Sequence, residues 1–105
     1  DLARKGAQII VVPTSWQDGP GKLEQWEVLP RARALDSTCW IVACGQARLP
    51  EELRDERKGP TGIGHSMVTN PHGEVIASAG YEPEMLIADI DVSGLAKIRE
   101  ALPVL

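Results

Sequence analysis

Two cysteines and two histidines are the residues of this chain best suited to nucleophilic chemistry: Cys39, Cys44, His65 and His72. A thiol attacks as the thiolate, which needs a base in reach and a turn or helix N-terminus that lowers its pKa. Cys39 and Cys44 instead bound the apolar run Cys39-Trp40-Ile41-Val42-Ala43-Cys44, which reads as a strand. Both are therefore expected to be buried, reduced thiols. Five apart on one strand, they would face opposite sides and could not bridge each other. A stand-alone thiol hydrolase pairing Cys44 with His65 is a reading that stays open. His72, within Pro71-His72-Gly73, is most simply a turn residue. Two histidines seven apart, with no Cys or carboxylate at ligand spacing, do not compose a metal site, and none is expected.

Glu24 and Glu27 lie one helical turn apart beside Trp26, and their simplest reading is solvated helix surface. Gly59-Pro60-Thr61-Gly62-Ile63-Gly64 invites a phosphate-loop reading but lacks the Gly-Lys-Ser/Thr ending and leads into a strand. Gly19-Pro20-Gly21-Lys22 has no Ser or Thr after its Lys. Both fail the structural context such a loop requires, and no cofactor is expected. Taken alone, these residues supply no complete catalytic constellation.

The elements that must position them are organised around residues 7–46. Ala7-Gln8-Ile9-Ile10-Val11-Val12 and the run from Cys39 to Cys44 are continuous apolar stretches, expected to be covered on both faces. The segment Lys22 to Ser37 between them is helical, which predicts a β-α-β unit. Leu23, Trp26, Leu29 and Ala32 share one broad face, with Val28 and Leu35 beside it. Pro30 predicts a kink or break near Leu29. Residues 47–63 form a long connection, charged from Glu51 to Lys58 except at Leu53, which reads as a solvated loop or a lid. The runs flanking Pro71-His72-Gly73 predict a hairpin, and Met85 to Asp91 a further strand. A last helix carries Leu95, Ile98 and Leu102, with an N-cap at Ser93 and a stop at Pro103. Asp1-Leu2-Ala3-Arg4-Lys5-Gly6 looks like a helix end, with cations in the last turn and then Gly, so the chain is expected to have lost its beginning. The resulting order is layered α/β with a largely antiparallel second half.

The bulk numbers agree with one folded domain. The 105 residues are 43% hydrophobic and 25% charged, with 4% aromatic. A net charge of −4 without a basic stripe argues against nucleic acid. No apolar stretch approaches the roughly 20 residues of a membrane span. No membrane partner is expected, and the location is expected to be cytoplasmic.

The motifs in their order resemble the nitrilase, or carbon–nitrogen hydrolase, superfamily. The resemblance rests on Gly6-Ala7-Gln8-Ile9-Ile10-Val11-Val12-Pro13, then Gly19-Pro20, Trp26-Glu27-Val28-Leu29 and Arg31-Ala32-Arg33-Ala34. It continues with Gly64-His65-Ser66-Met67-Val68, Asn70-Pro71-His72-Gly73-Glu74-Val75-Ile76-Ala77, and Asp89-Ile90-Asp91 before a helix ending Leu102-Pro103-Val104-Leu105. It covers essentially the whole chain. Asp36-Ser37 departs from the Glu-Asn of many members, and Pro30 interrupts a helix that is usually continuous.

The resemblance implies a four-layer α-β-β-α sandwich, of which residues 1–105 would be the C-terminal part of a single domain. It also implies a Glu base, an oxyanion-stabilising Lys and a Cys nucleophile that hydrolyses amides or nitriles through a thioester. None of the three maps onto this chain. The Cys would precede the helix whose tail resembles Asp1 to Lys5, so the chain alone is expected to be inactive. What should remain of the site is the wall after the first strand, Thr14, Ser15 and Trp16, facing a small-molecule amide or nitrile. The resemblance further implies a homodimer or higher oligomer, with the helix Leu23–Leu35 and the tail Pro103-Val104-Leu105 in the contact. A non-catalytic binding or assembly module of the same fold is the alternative.

Overall fold

The computed structural model describes residues 2–14, 16, 19–47 and 62–103. The charged connection Glu51–Lys58, the Gly59–Thr61 part of the glycine stretch, Ser15, and Val104 and Leu105 of the tail lie outside the described residues.

Residues 2–7 close as helices end. The Gly6 amide donates to the Ala3 carbonyl and the Ala7 amide to the Leu2 carbonyl, the paired bonds of a Schellman turn, and Gly6 has φ of 105°. The chain then enters β1 (Ile9–Thr14), crosses over through α1 (Lys22–Ser37) and returns parallel in β2 (Trp40–Gly45). The register runs from Ile9 opposite Trp40 to Thr14 opposite Gly45. β3 (Met67–Thr69) and β4 (Val75–Ser78) complete a sheet of order β1-β2-β3-β4, both added antiparallel. The hairpin between them is held by Asn70, whose Oδ1 accepts from the His72 and Glu74 amides at 3.0 Å each. Gly73 supplies the left-handed turn with φ of 81°.

Helix α1 is made of good helix formers and spans the residues its sequence predicts. It does not break at Pro30. The ring is buried against the sheet side, and that packing outweighs the single hydrogen bond the missing amide would have given the Trp26 carbonyl. The inward stripe is Trp26, Pro30 and Ala34 instead of the broader face expected, and Val28, Leu29 and Leu35 point outward. Beneath α1 lie Ile41, Ala43, Ile63 and Met67, the centre of the core.

The other face of the sheet is where expectation and structure part. β1 alternates exposed and half-buried residues, with Ile9 and Val11 open on the side away from α1. Cys44 lies on that side and is exposed, while Cys39 is buried. No described element covers this face, so strands whose composition suits two-sided burial are covered on one side only. Met85–Asp91 also differs. It forms no strand among the described residues, and Met85 and Ile87 are more than 80% exposed (84% and 82%). A strand pattern in sequence states a capacity to pair, and this segment pairs with neither edge of the described sheet, β1 or β4. The last helix, α2 (Leu95–Ala101), is capped at Gly94 instead of Ser93. The Ser93 amide is instead taken by Asp91 Oδ1 at 2.9 Å.

Candidate functional site

Parallel strands leave their C-terminal ends open beside the crossover helix, and ligands of α/β sheets commonly sit there. Here that mouth holds Thr14 at the end of β1 and Gly45 at the end of β2, joined beyond the last pair by the Gln46 amide donating to the Thr14 carbonyl at 3.3 Å. Ser66 closes the β2 side, since its Oγ accepts from the Gly45 amide at 3.0 Å and donates back to the Gly45 carbonyl at 3.3 Å.

Trp16 lines a groove along α1, and buried Trp26 packs behind it. Trp16, half-buried, donates Nε1–H to the Lys22 carbonyl at 3.1 Å, which pins the loop after β1 to the first turn of α1. Its ring lies 6.5 Å from that of Trp26, tilted by 35°, and the Lys22 ammonium sits 5.7 Å from its centroid. Trp26 is 2% exposed and donates Nε1–H to the His65 carbonyl at 2.7 Å. His65 is itself left-handed, with φ of 51°. It is fixed through its Nδ1 contact with the Ile63 carbonyl at 2.8 Å and an edge-on contact with the Tyr81 ring at 4.4 Å. A carbonyl acceptor there requires the proton on Nδ1. Next to it, a Cβ at Gly45 would collide with the Gly64 carbonyl, so the backbones pass with no room for a side chain.

The structure places Thr14 at the end of β1 and Trp16 on the groove along α1, with Ser15 between them outside the described residues. It adds partners the sequence did not signal. A groove of about 520 Å³ runs from Trp16 along Glu24, Gln25, Val28 and Leu29. Glu27 turns to a different, smaller pocket of about 150 Å³ with Arg31, His65, Met67, Val75 and Ser78. Both glutamates are exposed. Only the i, i+3/i+4 spacing of α1 could have revealed the groove residues, and Trp16 had to be placed first.

The cysteines are not brought to a base. Cys39 is fully buried, and its Sγ–H donates to the Ala7 carbonyl at 3.2 Å. Cys44, contrary to the expectation of burial, is exposed on the sheet face opposite the α1-side pocket that His65 lines. His72 sits exposed on its turn. Among the described residues no three His, Cys, Asp or Glu side chains converge to hold a metal ion. No helix among them is long and apolar enough to cross a membrane. The groove can hold an organic group against the Trp16 ring, and among the described residues neither cysteine is paired with a base.

The carbon–nitrogen hydrolase family pattern matches residues 1–100. The chain belongs to the carbon–nitrogen hydrolase family. A protein of Mycobacterium tuberculosis named only as a hydrolase is 51% identical over 112 residues, covering 100% of this chain and 39% of that protein. An omega-amidase of Xenopus laevis is 42% identical over 102 residues, covering 97% of this chain and 34% of the relative. The crystal structure of Nit3 from Saccharomyces cerevisiae, a member of branch 10 of the nitrilase superfamily, superposes with a TM-score of 0.81 at 31% identity, over 97% of this chain and 35% of Nit3. The mixed α/β fold of this carbon–nitrogen hydrolase chain, four strands and two helices among the described residues, is that of its nitrilase-superfamily neighbours. The chain spans less than two fifths of the length of these relatives.

Proposed function

We propose that this chain is the C-terminal part of a nitrilase-type thiol hydrolase that cleaves amide or nitrile carbon–nitrogen bonds. The observation that carries the reading is the mouth of the β1–β2 pair. It offers a binding wall, Thr14 and Trp16, in a chain of this family whose two cysteines meet no base among the described residues. The wall would position the acyl part of a small amide. The Cys, Glu and Lys that the family resemblance implies would lie on the remainder of a longer polypeptide. There the thiolate attacks the carbonyl carbon, ammonia or an amine leaves, and water hydrolyses the thioester. The omega-amidase among the relatives favours a primary amide over a nitrile as first substrate to try. Free thiols at Cys39 and Cys44 suit a reducing, cytoplasmic setting.

The test is to assay ammonia release from short primary amides and nitriles with the complete polypeptide and with this 105-residue chain in parallel. Activity of the former and none of the latter is expected. A complete polypeptide without activity on the panel would favour a binding or assembly module of the same fold. Within an active parent, Trp16→Ala should change KM or amide preference more than it changes Tm. Loss of stability with unchanged kinetics would reduce Trp16 to packing.

We infer also that the parent is at least a dimer. Val28, Leu29 and Leu35 are 61%, 38% and 42% exposed along the outer side of α1, beside the groove at Trp16. Apolar surface left in water costs roughly 25 cal/mol per Å², and closed two-fold pairing is its commonest cover. Light scattering of the complete protein at micromolar concentration decides this, and a monodisperse monomer rejects it.

A further inference from the structure

Three backbone turns meet where β1 and β2 begin: the Schellman turn of residues 2–7, the C-cap of α1 at Thr38, and α2. Thr38 is fully buried and left-handed, with φ of 47°. A non-glycine residue in that region persists only where its surroundings hold it. Arg99, in the middle of α2 and half-buried, reaches all of these groups with one guanidinium. Its Nη2 donates to the Ala7 carbonyl at 3.0 Å and lies 3.4 Å from Cys39 Sγ, and its Nε donates to the Thr38 carbonyl at 3.3 Å. The Cys39 thiol donates to the same Ala7 carbonyl.

These carbonyls sit at a sensitive place. Antiparallel strands take their register from the hairpin that joins them, whereas a parallel pair has no such turn. Here the first interstrand bond, from the Trp40 amide to the Gln8 carbonyl at 3.0 Å, comes directly after Ala7 on one strand and two residues after Thr38 on the other. Gly6, in a conformation open to glycine, is the joint between the helical segment 2–6 and β1. Ala7 is the first residue past that joint. A planar fork with donors fixed relative to one another sets the spacing of the two carbonyls in a way a lysine cannot.

We propose that Arg99 is a positioning residue: by holding the Ala7 and Thr38 carbonyls in one fork, it fixes the helical segment 2–6 against the start of the β1–β2 pair. This rests on the functional reading above, in which the nucleophile stands at the far end of that helix. The C-terminal helix then acts on the reaction without touching substrate. Small displacements of a reacting group cost large factors in rate, on the order of 10²-fold for 1 Å.

The experiment uses the complete polypeptide with Arg99→Met and Arg99→Lys, read by steady-state kinetics on the best primary amide and by amide hydrogen exchange at Trp40. Arg99→Met should lower kcat about tenfold or more, leave KM within about twofold and speed exchange at Trp40. Arg99→Lys, which can serve one carbonyl but cannot hold two at a fixed spacing, should stay close to Arg99→Met in kcat. Faster exchange at Trp40 with parental kcat would make Arg99 a scaffold residue and overturn the proposal, as would an Arg99→Lys that restores parental kcat and exchange. So would failure of both variants to fold. Unchanged exchange would show that the fork does not hold the strand starts. A parental protein without hydrolysis overturns the functional reading and this inference together, whereas the other outcomes strike this inference alone.

Discussion

Replacing Trp26 by Phe tests what ties α1 to the segment before β3. The indole is 2% exposed and its Nε1–H reaches the His65 carbonyl at 2.7 Å, across 39 residues of chain. Phe keeps an aromatic ring in the site but loses the donor, leaving a half-buried acceptor unpaired at a cost of about 1–2 kcal/mol, the low end because water reaches the rim. The smaller ring adds a transfer and cavity cost of about 1–2 kcal/mol. The expected loss is about 2–4 kcal/mol. Trp16→Phe is the control, because the carbonyl it releases, that of Lys22, lies in the first turn of α1 and is available as an intrahelical acceptor. That variant should lose about 1 kcal/mol or less. Urea unfolding of the complete protein, followed by far-UV circular dichroism with the m-value held common, measures both. A Trp26→Phe loss under about 0.5 kcal/mol, or one equal to that of Trp16→Phe, would refute the argument that the His65 tie stabilises the fold.

Cys39→Ala and Cys44→Ala in the complete protein should leave turnover intact. The buried Cys39→Ala should lose about 1–2 kcal/mol and the exposed Cys44→Ala close to none. A folded variant without turnover would reject a structural role. Thr69 is fully buried and its Oγ1 has no hydrogen-bond partner among the described residues, so Thr69→Val should stabilise by about 1 kcal/mol in the same unfolding assay. Destabilisation would show that the hydroxyl is paired. Hydrogen bonds from the Ser93 side chain and backbone hold the Asp91 carboxyl below the ordinary value of 3.8. A carboxylate lowered in this way stabilises the fold above its unfolded pKa, and the benefit disappears as pH falls from about 4 through the lowered value. Asp91→Ala should therefore flatten the loss of Tm across that acid window. An unchanged acid limb would assign it to other carboxylates.

Local signals were legible wherever local chemistry decides. The span of α1, the strand on either side of it, the Pro-x-Gly hairpin and the helix end before Ala7 are all as the sequence predicts. What the sequence did not disclose depends on which surface meets which. The inward stripe Trp26-Pro30-Ala34 could not be told from the outward Val28-Leu29-Leu35, because apolar residues surround this helix. The exposure of Cys44 follows from a sheet face left open, which residue type alone does not show. Trp16 was singled out from its place after a strand, and it lines the groove along α1. The left-handed His65 carries no composition signal beyond its neighbouring glycine, and Arg99 meets carbonyls 61 and 92 residues away, beyond any local pattern.

The order of strands across the sheet is the order along the chain. No strand has to wait for a later one to be threaded between it and its neighbour, so the sheet can grow by accretion, each strand landing beside the one made before it. Contacts of this kind are favourable for rapid assembly. Apart from the crossover through α1, the longest closure is between Gly45 and Met67. Loop entropy rises only logarithmically, about 0.6 kcal/mol for each doubling of length. Gln46 and Gly62 are packed together at the base of that connection, so a lineage could vary the length of residues 48–61 at little entropic cost while keeping the scaffold beneath.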